Sequence, residues 1–236
     1  MIGQILFISI LLLIGLIIGG GIGWIMSIFF KNHTSVLYLF GCGIILGMIF
    51  FHLAPETLQQ YNWLGLIIGC LSGIILMFLV EGIIMELHKN KYAPKTSIAT
   101  LLLVIGMAIH NMPTGMTIGS ELGEMEWTSS ALIGTFIIHQ IPEGLALFLL
   151  LLNRSDSLSP FILVSVCLSL LLFTSIIIGY MYIDAPTKMK AILMGTSIAT
   201  LGYASIHGIK HETNIQATYK PIFIGFAIVF LFIWLL

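Results

Sequence analysis

The sequence predicts an all-α integral membrane protein, an eight-transmembrane-helix bundle that forms one domain over residues 1–236. Three observations support this fold class. Hydrophobic residues make up 58% of the chain and charged residues only 8%, whereas a soluble domain carries roughly 25% charged residues. Eight apolar runs are long enough to cross a bilayer, which takes about 20 helical residues. The polar segments between the runs are short, so no soluble domain is expected.

The spans are placed where apolar runs lie between polar breaks. In chain order they are predicted at residues 2–30, 35–55, 62–87, 97–120, 127–152, 159–183, 189–209 and 219–236. Helices are favoured over barrel strands because each run is apolar throughout, whereas a barrel strand alternates apolar and polar residues. Glycines recur at four-residue spacing on two spans, which indicates close helix packing. They are Gly15, Gly19 and Gly23 on span 1, and Gly65, Gly69 and Gly73 on span 3.

The distribution of lysine and arginine predicts the orientation. Seven of the nine lie in the loops after spans 1, 3, 5 and 7, and the other two, Lys188 and Lys190, follow span 6. Positive charge collects on the cytoplasmic side, so both termini are predicted to be extracytoplasmic in a multi-pass plasma-membrane protein. The net charge of −1 offers no basic surface for nucleic acid. The lipid bilayer is the expected partner, and a homodimer is compatible with the sequence.

Three segments place a proline three residues after a histidine: HLAPE at 52–56, HNMPTG at 110–115 and HQIPEG at 139–144. The last two lie near the middle of spans 4 and 5, which are antiparallel. We therefore expect them to meet at the bilayer midplane. A charge at that depth costs at least ~2.5–3.5 kcal/mol, so such a group faces a partner or a cavity. A lone intramembrane histidine is more often a helix-to-helix hydrogen bonder, but two copies of one motif favour a functional polar site.

Residues four apart share one face of a helix, so each motif presents a small set of polar groups. These candidate ligands are His110, Asn111 and Thr114 on span 4, and His139, Gln140 and Glu143 on span 5. Imidazole, carboxylate and amide oxygen suit a divalent ion such as Zn²⁺, Fe²⁺ or Mn²⁺. Pro113 and Pro142 each remove a backbone donor, and the carbonyl freed one turn earlier is tolerated where it lines a polar cavity.

Further polar residues are expected between the midplane and each membrane face. They are His52 and Glu56 near the outer end of span 2, Glu81 in the cytoplasmic half of span 3, and His207, His211 and Glu212 at the inner end of span 7. The sequence therefore predicts a path of nitrogen and oxygen ligands from the outer mouth, through the midplane, to the inner mouth.

In these residues the chain resembles the ZIP family of divalent metal transporters. The resemblance takes in the eight spans, the HLAPE segment and the twin motifs of spans 4 and 5. It implies import of zinc into the cytoplasm, with iron, manganese or cadmium carried by some members, and an elevator-like movement of one helix group. It also implies a midplane site, often with two metals, whose ligands here would be His110, Asn111, His139, Gln140 and Glu143. The metal is the transported substrate, and no prosthetic group is implied.

The chain departs from the family at Thr114, where a glutamate is common. Span 6 supplies no carboxylate, only Ser165, Ser169 and Thr174. We therefore expect one principal metal, held by His110, His139 and Glu143, with Asn111 or Gln140 secondary.

Other function classes fit the sequence less well than transport. An intramembrane metalloenzyme would use HExxH, which the sequence lacks, since HETN at 211–214 has no second histidine; a GxSxG elbow is absent too. The chain is accordingly not expected to be an enzyme. A haem-binding protein could use His110 and His139 as axial ligands, although the neighbouring amides and glutamate argue against an apolar haem slot. Thr114 also leaves open a metal-binding homologue that does not transport.

Overall fold

A computed structural model describes residues 2–30, 33–89, 98–124, 130–152, 158–181, 186–213 and 219–235. These residues are helical almost throughout and contain no strand, so the predicted all-α class is confirmed. The helices are α1 (Ile2–Phe29), α2 (Thr34–Gln60), α3 (Trp63–Lys89), α4 (Ile98–Glu124), α5 (Ser130–Leu152), α6 (Ser159–Met181), α7 (Thr187–Thr213) and α8 (Lys220–Trp234).

By length and composition, six of the described helices could cross a membrane: α1, α2, α3, α4, α6 and α7. Two shorter apolar stretches, Gln140–Leu152 in α5 and Lys220–Trp234 in α8, accompany them. Large apolar side chains cover the outside of the bundle, as Phe78, Leu163 and Phe223 show with 69%, 65% and 71% of their surface exposed. An exterior of this kind needs lipid around it. The chain is a multi-pass membrane protein, while the count of eight spans and the side of the termini stay predictions.

Close backbone contacts at glycines join the described helices in four parallel pairs: α1 with α5, α2 with α8, α3 with α7, and α4 with α6. In each pair a glycine lies directly against a backbone carbonyl of the partner helix. The contacts are Gly19 with Ile141, Gly43 with Ile222, Gly69 with Ile192, and Gly119 with Ile176. Even a methyl group would not fit there, so the predicted packing role of the glycine stripes on spans 1 and 3 is confirmed.

The pairing corrects one expectation about the twin motifs. Spans 4 and 5 were expected to be direct antiparallel neighbours, yet α4 packs mainly on α6 and α7, and α5 packs mainly on α1 and α2. The glycines explain the difference, because Gly115 and Gly119 press α4 against α6 and Gly144 presses α5 against Leu16 of α1. The two motif helices therefore approach each other only locally.

Helix α2 changes its winding where the HLAPE segment begins. Residues Ile49–Leu53 form a π-helical turn between the α-helical segments Thr34–Met48 and Ala54–Gln60, and the Ala54 amide donates to the carbonyl of Ile49, five residues back. Pro55 follows at once and has no amide hydrogen, so the normal α-helical ladder cannot continue through it. Such turns rotate the side chains that they carry and often occur at functional sites; this one carries His52.

Candidate functional site

Helix α4 runs without a break through Pro113 and buries His110 in the bundle, with 1% of the residue exposed. Two hydroxyls bond to carbonyls beside the proline: Thr114 Oγ1 donates to the His110 carbonyl at 3.1 Å, and Thr117 Oγ1 to the Pro113 carbonyl at 3.0 Å. Thr114 therefore uses its hydrogen within its own helix. Only its oxygen lone pairs could serve as a ligand, as the sequence had suggested for this residue.

The centre of the site is a contact between the two motif helices. His110 Nε2 of α4 lies 3.1 Å from Glu143 Oε1 of α5, and Glu143 is 5% exposed. The expected meeting of the two motifs is thus present, although the helices that carry them pack elsewhere. The pair combines an imidazole nitrogen and a carboxylate oxygen, which are the ligand types that zinc prefers among nitrogen and oxygen donors.

A serine that the sequence analysis missed also contacts His110. Ser197 of α7 is fully buried, and its Oγ lies 2.5 Å from His110 Nδ1. Thr200 Oγ1 donates to the Ser197 carbonyl at 2.9 Å, one turn further along α7. No local pattern marks Ser197, because α7 carries a second serine, Ser205, and only the tertiary fold selects between the two.

The amide side chains of the two motifs are both buried. Asn111 and Gln140 are each 2% exposed. Within the described part of the chain, the Asn111 Oδ1 atom has no hydrogen-bond partner. An unsatisfied buried carbonyl oxygen is costly unless a water or a cation binds it. Asn111 therefore offers a further oxygen ligand beside His110.

The third expected ligand, His139, has a side chain that lies outside the described residues. The structure therefore describes the side chains of only two of the three expected ligands, His110 and Glu143. Among the side chains that the structure describes, no three His, Cys, Asp or Glu residues gather closely enough to hold a metal ion. The midplane site stays a prediction in its full form.

The predicted outer pair is present on α2. His52 Nε2 lies 3.7 Å from Glu56 Oε2, with 26% and 44% of the two side chains exposed. Gln60 Nε2 donates to Glu56 Oε1 at 3.3 Å. The π-helical turn carries His52, and the α-helical segment that follows it carries Glu56, so the two side chains lie one turn apart. The arrangement leaves both groups accessible.

The predicted inner residues Glu81 and His207 also meet, between α3 and α7. His207 Nδ1 lies 3.5 Å from Glu81 Oε1, and the Tyr203 hydroxyl donates to Glu81 Oε2. The rings of Tyr203 and His207 stack, with their centroids 6.4 Å apart. The sequence analysis missed Tyr203, although it precedes His207 by four residues on the same helical face. The side chains of His211 and Glu212 lie outside the described residues.

No protein-family model matches the chain, and the search of curated proteins finds no match. The resemblance to the ZIP family therefore rests on the sequence motifs alone. Among the described residues, the geometry adds three His–Glu pairs, each formed by residues that the sequence had singled out, in a bundle with an apolar exterior.

Proposed function

We propose that the chain transports divalent transition-metal ions across the plasma membrane into the cytoplasm, with zinc as the main substrate and iron, manganese or cadmium as further ones. The observation that carries this proposal is the buried contact of His110 with Glu143 at 3.1 Å. Two ligand side chains from separate helices meet there in a protein whose exterior is apolar.

A purely structural role accounts poorly for this contact. Burying a carboxylate beside an imidazole removes both from water, and such pairs add little net stability compared with apolar packing. The helices that carry the pair are already held by close glycine contacts with other helices. Polar groups at membrane depth that packing does not require are commonly part of an ion or substrate path.

The other two pairs support a path rather than an isolated site. At the outer end, His52 and Glu56 receive the hydrated ion, which then loses water to His110 and Glu143, with His139, Asn111 and Gln140 nearby in the chain. At the inner end, Glu81 and His207 accept it before it reaches His211 and Glu212. Each station offers imidazole and carboxylate, so the ion exchanges one set of ligands for a similar one.

The test is metal uptake by purified protein in proteoliposomes, measured with radioactive zinc or with a fluorescent zinc indicator inside the vesicles. We expect His110→Ala and Glu143→Gln each to lower the initial rate at least about tenfold, since each removes a ligand or its charge. Thr174→Ala is the matched control, because Thr174 is exposed on α6 and bonds only to the Leu171 carbonyl of its own helix.

An unchanged uptake rate in the double variant His110→Ala plus Glu143→Gln would overturn the site. A wild-type protein that binds zinc but carries none into the vesicles would instead identify a metal-binding homologue without transport. Competition by Fe²⁺, Mn²⁺ and Cd²⁺ in the same vesicles ranks the substrates, which ligand chemistry alone does not decide.

A further inference from the structure

Helix α7 carries neither motif, yet it supplies the closer of the two described hydrogen-bond partners of His110. Helices α4 and α7 approach each other at Gly106, where an added Cβ would lie 3.1 Å from the Thr200 carbonyl oxygen. One turn further along α4 and one turn back along α7, this approach places His110 Nδ1 2.5 Å from Ser197 Oγ. The contact is therefore fixed by the packing of the two backbones.

The two ring nitrogens of His110 have different partners. Nε2 faces Glu143 and Nδ1 faces Ser197. A neutral imidazole carries one hydrogen, and the nitrogen that lacks it is the one that can bind a metal. When Nε2 donates to the Glu143 carboxylate, Nδ1 must accept a hydrogen bond; when Nε2 binds an ion, Nδ1 must donate one.

A hydroxyl satisfies both conditions because it can donate or accept. A backbone carbonyl in its place would accept only and would hold the ring in the metal-binding tautomer, whereas a backbone amide would donate only and would exclude that tautomer. With serine, the single ring hydrogen can lie on either nitrogen, because the hydroxyl donates to Nδ1 in one tautomer and accepts from it in the other. The ring keeps its charge and its position.

We propose that Ser197 is a positioning residue of the metal site, whose hydroxyl orients the His110 ring toward Glu143 and supports both tautomers of that ring. The inference rests on the proposed function, since it assigns Ser197 to the same site. Partners of this kind, bonded to the other nitrogen of a ligating histidine, typically change metal affinity 10- to 100-fold when removed.

Another buried serine on the same helix provides a matched control. Ser205 is also fully buried on α7, and in the described residues its Oγ has no hydrogen-bond partner. Ser205→Ala removes the same atom from the same kind of environment without touching His110. A difference between Ser197→Ala and Ser205→Ala therefore reports the contact with His110 and not the loss of a buried hydroxyl.

The experiment measures zinc affinity of the purified full chain by calorimetry, together with the ¹⁵N chemical shifts of its histidine rings in the absence of metal. We expect Ser197→Ala to weaken zinc binding about 10- to 100-fold and to change the ring shifts of His110, assigned by comparison with His110→Ala. Ser205→Ala should change neither. Ser197→Thr, which keeps a hydroxyl, should restore binding.

Wild-type zinc affinity and unchanged His110 shifts in Ser197→Ala would overturn the inference, even if Ser197→Thr fails to fold. The two proposals fail separately. If His110→Ala and Glu143→Gln bind zinc as the wild type does, the metal site itself is wrong. If those two variants lose zinc while Ser197→Ala keeps it, only the positioning role is wrong.

Discussion

His110 Nε2 and Glu143 Oε1 lie 3.1 Å apart although the helices that carry them pack on different partners. Helix α4 is held by α6 and α7, and α5 by α1 and α2. The contact is thus not a by-product of two helices packed along their length. It is a local contact between two candidate ligand side chains. Substitutions at the helix contacts should therefore change stability, whereas substitutions at this pair should change metal binding.

Glu143→Gln should abolish high-affinity zinc binding while leaving the fold intact. The glutamine keeps an oxygen that can accept a hydrogen bond from His110, so this contact between the two helices is retained, but the negative charge that favours a divalent ion is gone. We expect the melting temperature in detergent to stay within about 3 °C of the wild type, a shift that corresponds to roughly 1 kcal/mol for a domain of this size. A large loss of thermal stability would mean that the pair is mainly structural.

The glycine contacts, by contrast, should decide stability. Gly19→Leu places a side chain where the Ile141 backbone of α5 lies, whereas Gly21 of the same helix has no atom within 4 Å of an added Cβ. We expect Gly19→Leu to cost at least about 1–3 kcal/mol by overpacking, and Gly21→Leu to be nearly neutral. Size-exclusion chromatography after heating checks both, and equal behaviour of the two variants would contradict the close pairing of α1 with α5.

Thr114→Glu should change the number of metal ions bound. Residue 114 lies one turn from His110, and its present hydroxyl bonds to the His110 carbonyl. A carboxylate there adds a second anionic ligand beside the first. We expect the zinc content of the purified protein, measured by elemental analysis, to rise from one to two ions per chain. An unchanged ratio would show that Thr114 does not limit the site to one ion.

Glu81→Gln should slow uptake without weakening zinc binding at the central site. Glu81 contacts both His207 and Tyr203 between α3 and α7, and the proposed path uses it for release toward the cytoplasm. Tyr203→Phe keeps both ligands and removes only one hydrogen bond, so its effect on uptake should be smaller. A Glu81→Gln protein that carries zinc at the wild-type rate would remove Glu81 from the path.

The helices could be predicted well from the sequence because lipid demands long apolar runs. Span 1 was predicted at 2–30 and α1 is Ile2–Phe29; span 6 was predicted at 159–183 and α6 is Ser159–Met181. The larger difference is at span 2, predicted to end at 55, where α2 continues to Gln60. A π-helical turn lies just before Pro55, and the helix continues beyond this proline. Counting apolar residues could not predict either feature.

Two pairs of the candidate site could be predicted from the sequence. Helical spacing brings His52 and Glu56 to one face of α2, and the position of both motifs near the middle of their spans brings His110 close to Glu143. The site was not predictable where the fold alone brings residues together. Ser197 lies 87 residues from its partner His110 in the sequence, and nothing in the local pattern of α7 distinguishes it from Ser205. The packing of α4 on α6 was missed for the same reason, since glycines mark a close contact but do not name the partner helix.

The most direct test of the central claim is anomalous diffraction from crystals of the protein grown with zinc. We predict an anomalous peak about 2.0–2.2 Å from both His110 Nε2 and a carboxylate oxygen of Glu143, at the bond lengths that zinc takes with nitrogen and oxygen ligands. Zinc that binds only elsewhere, with His110 and Glu143 still hydrogen-bonded to each other, would contradict the account.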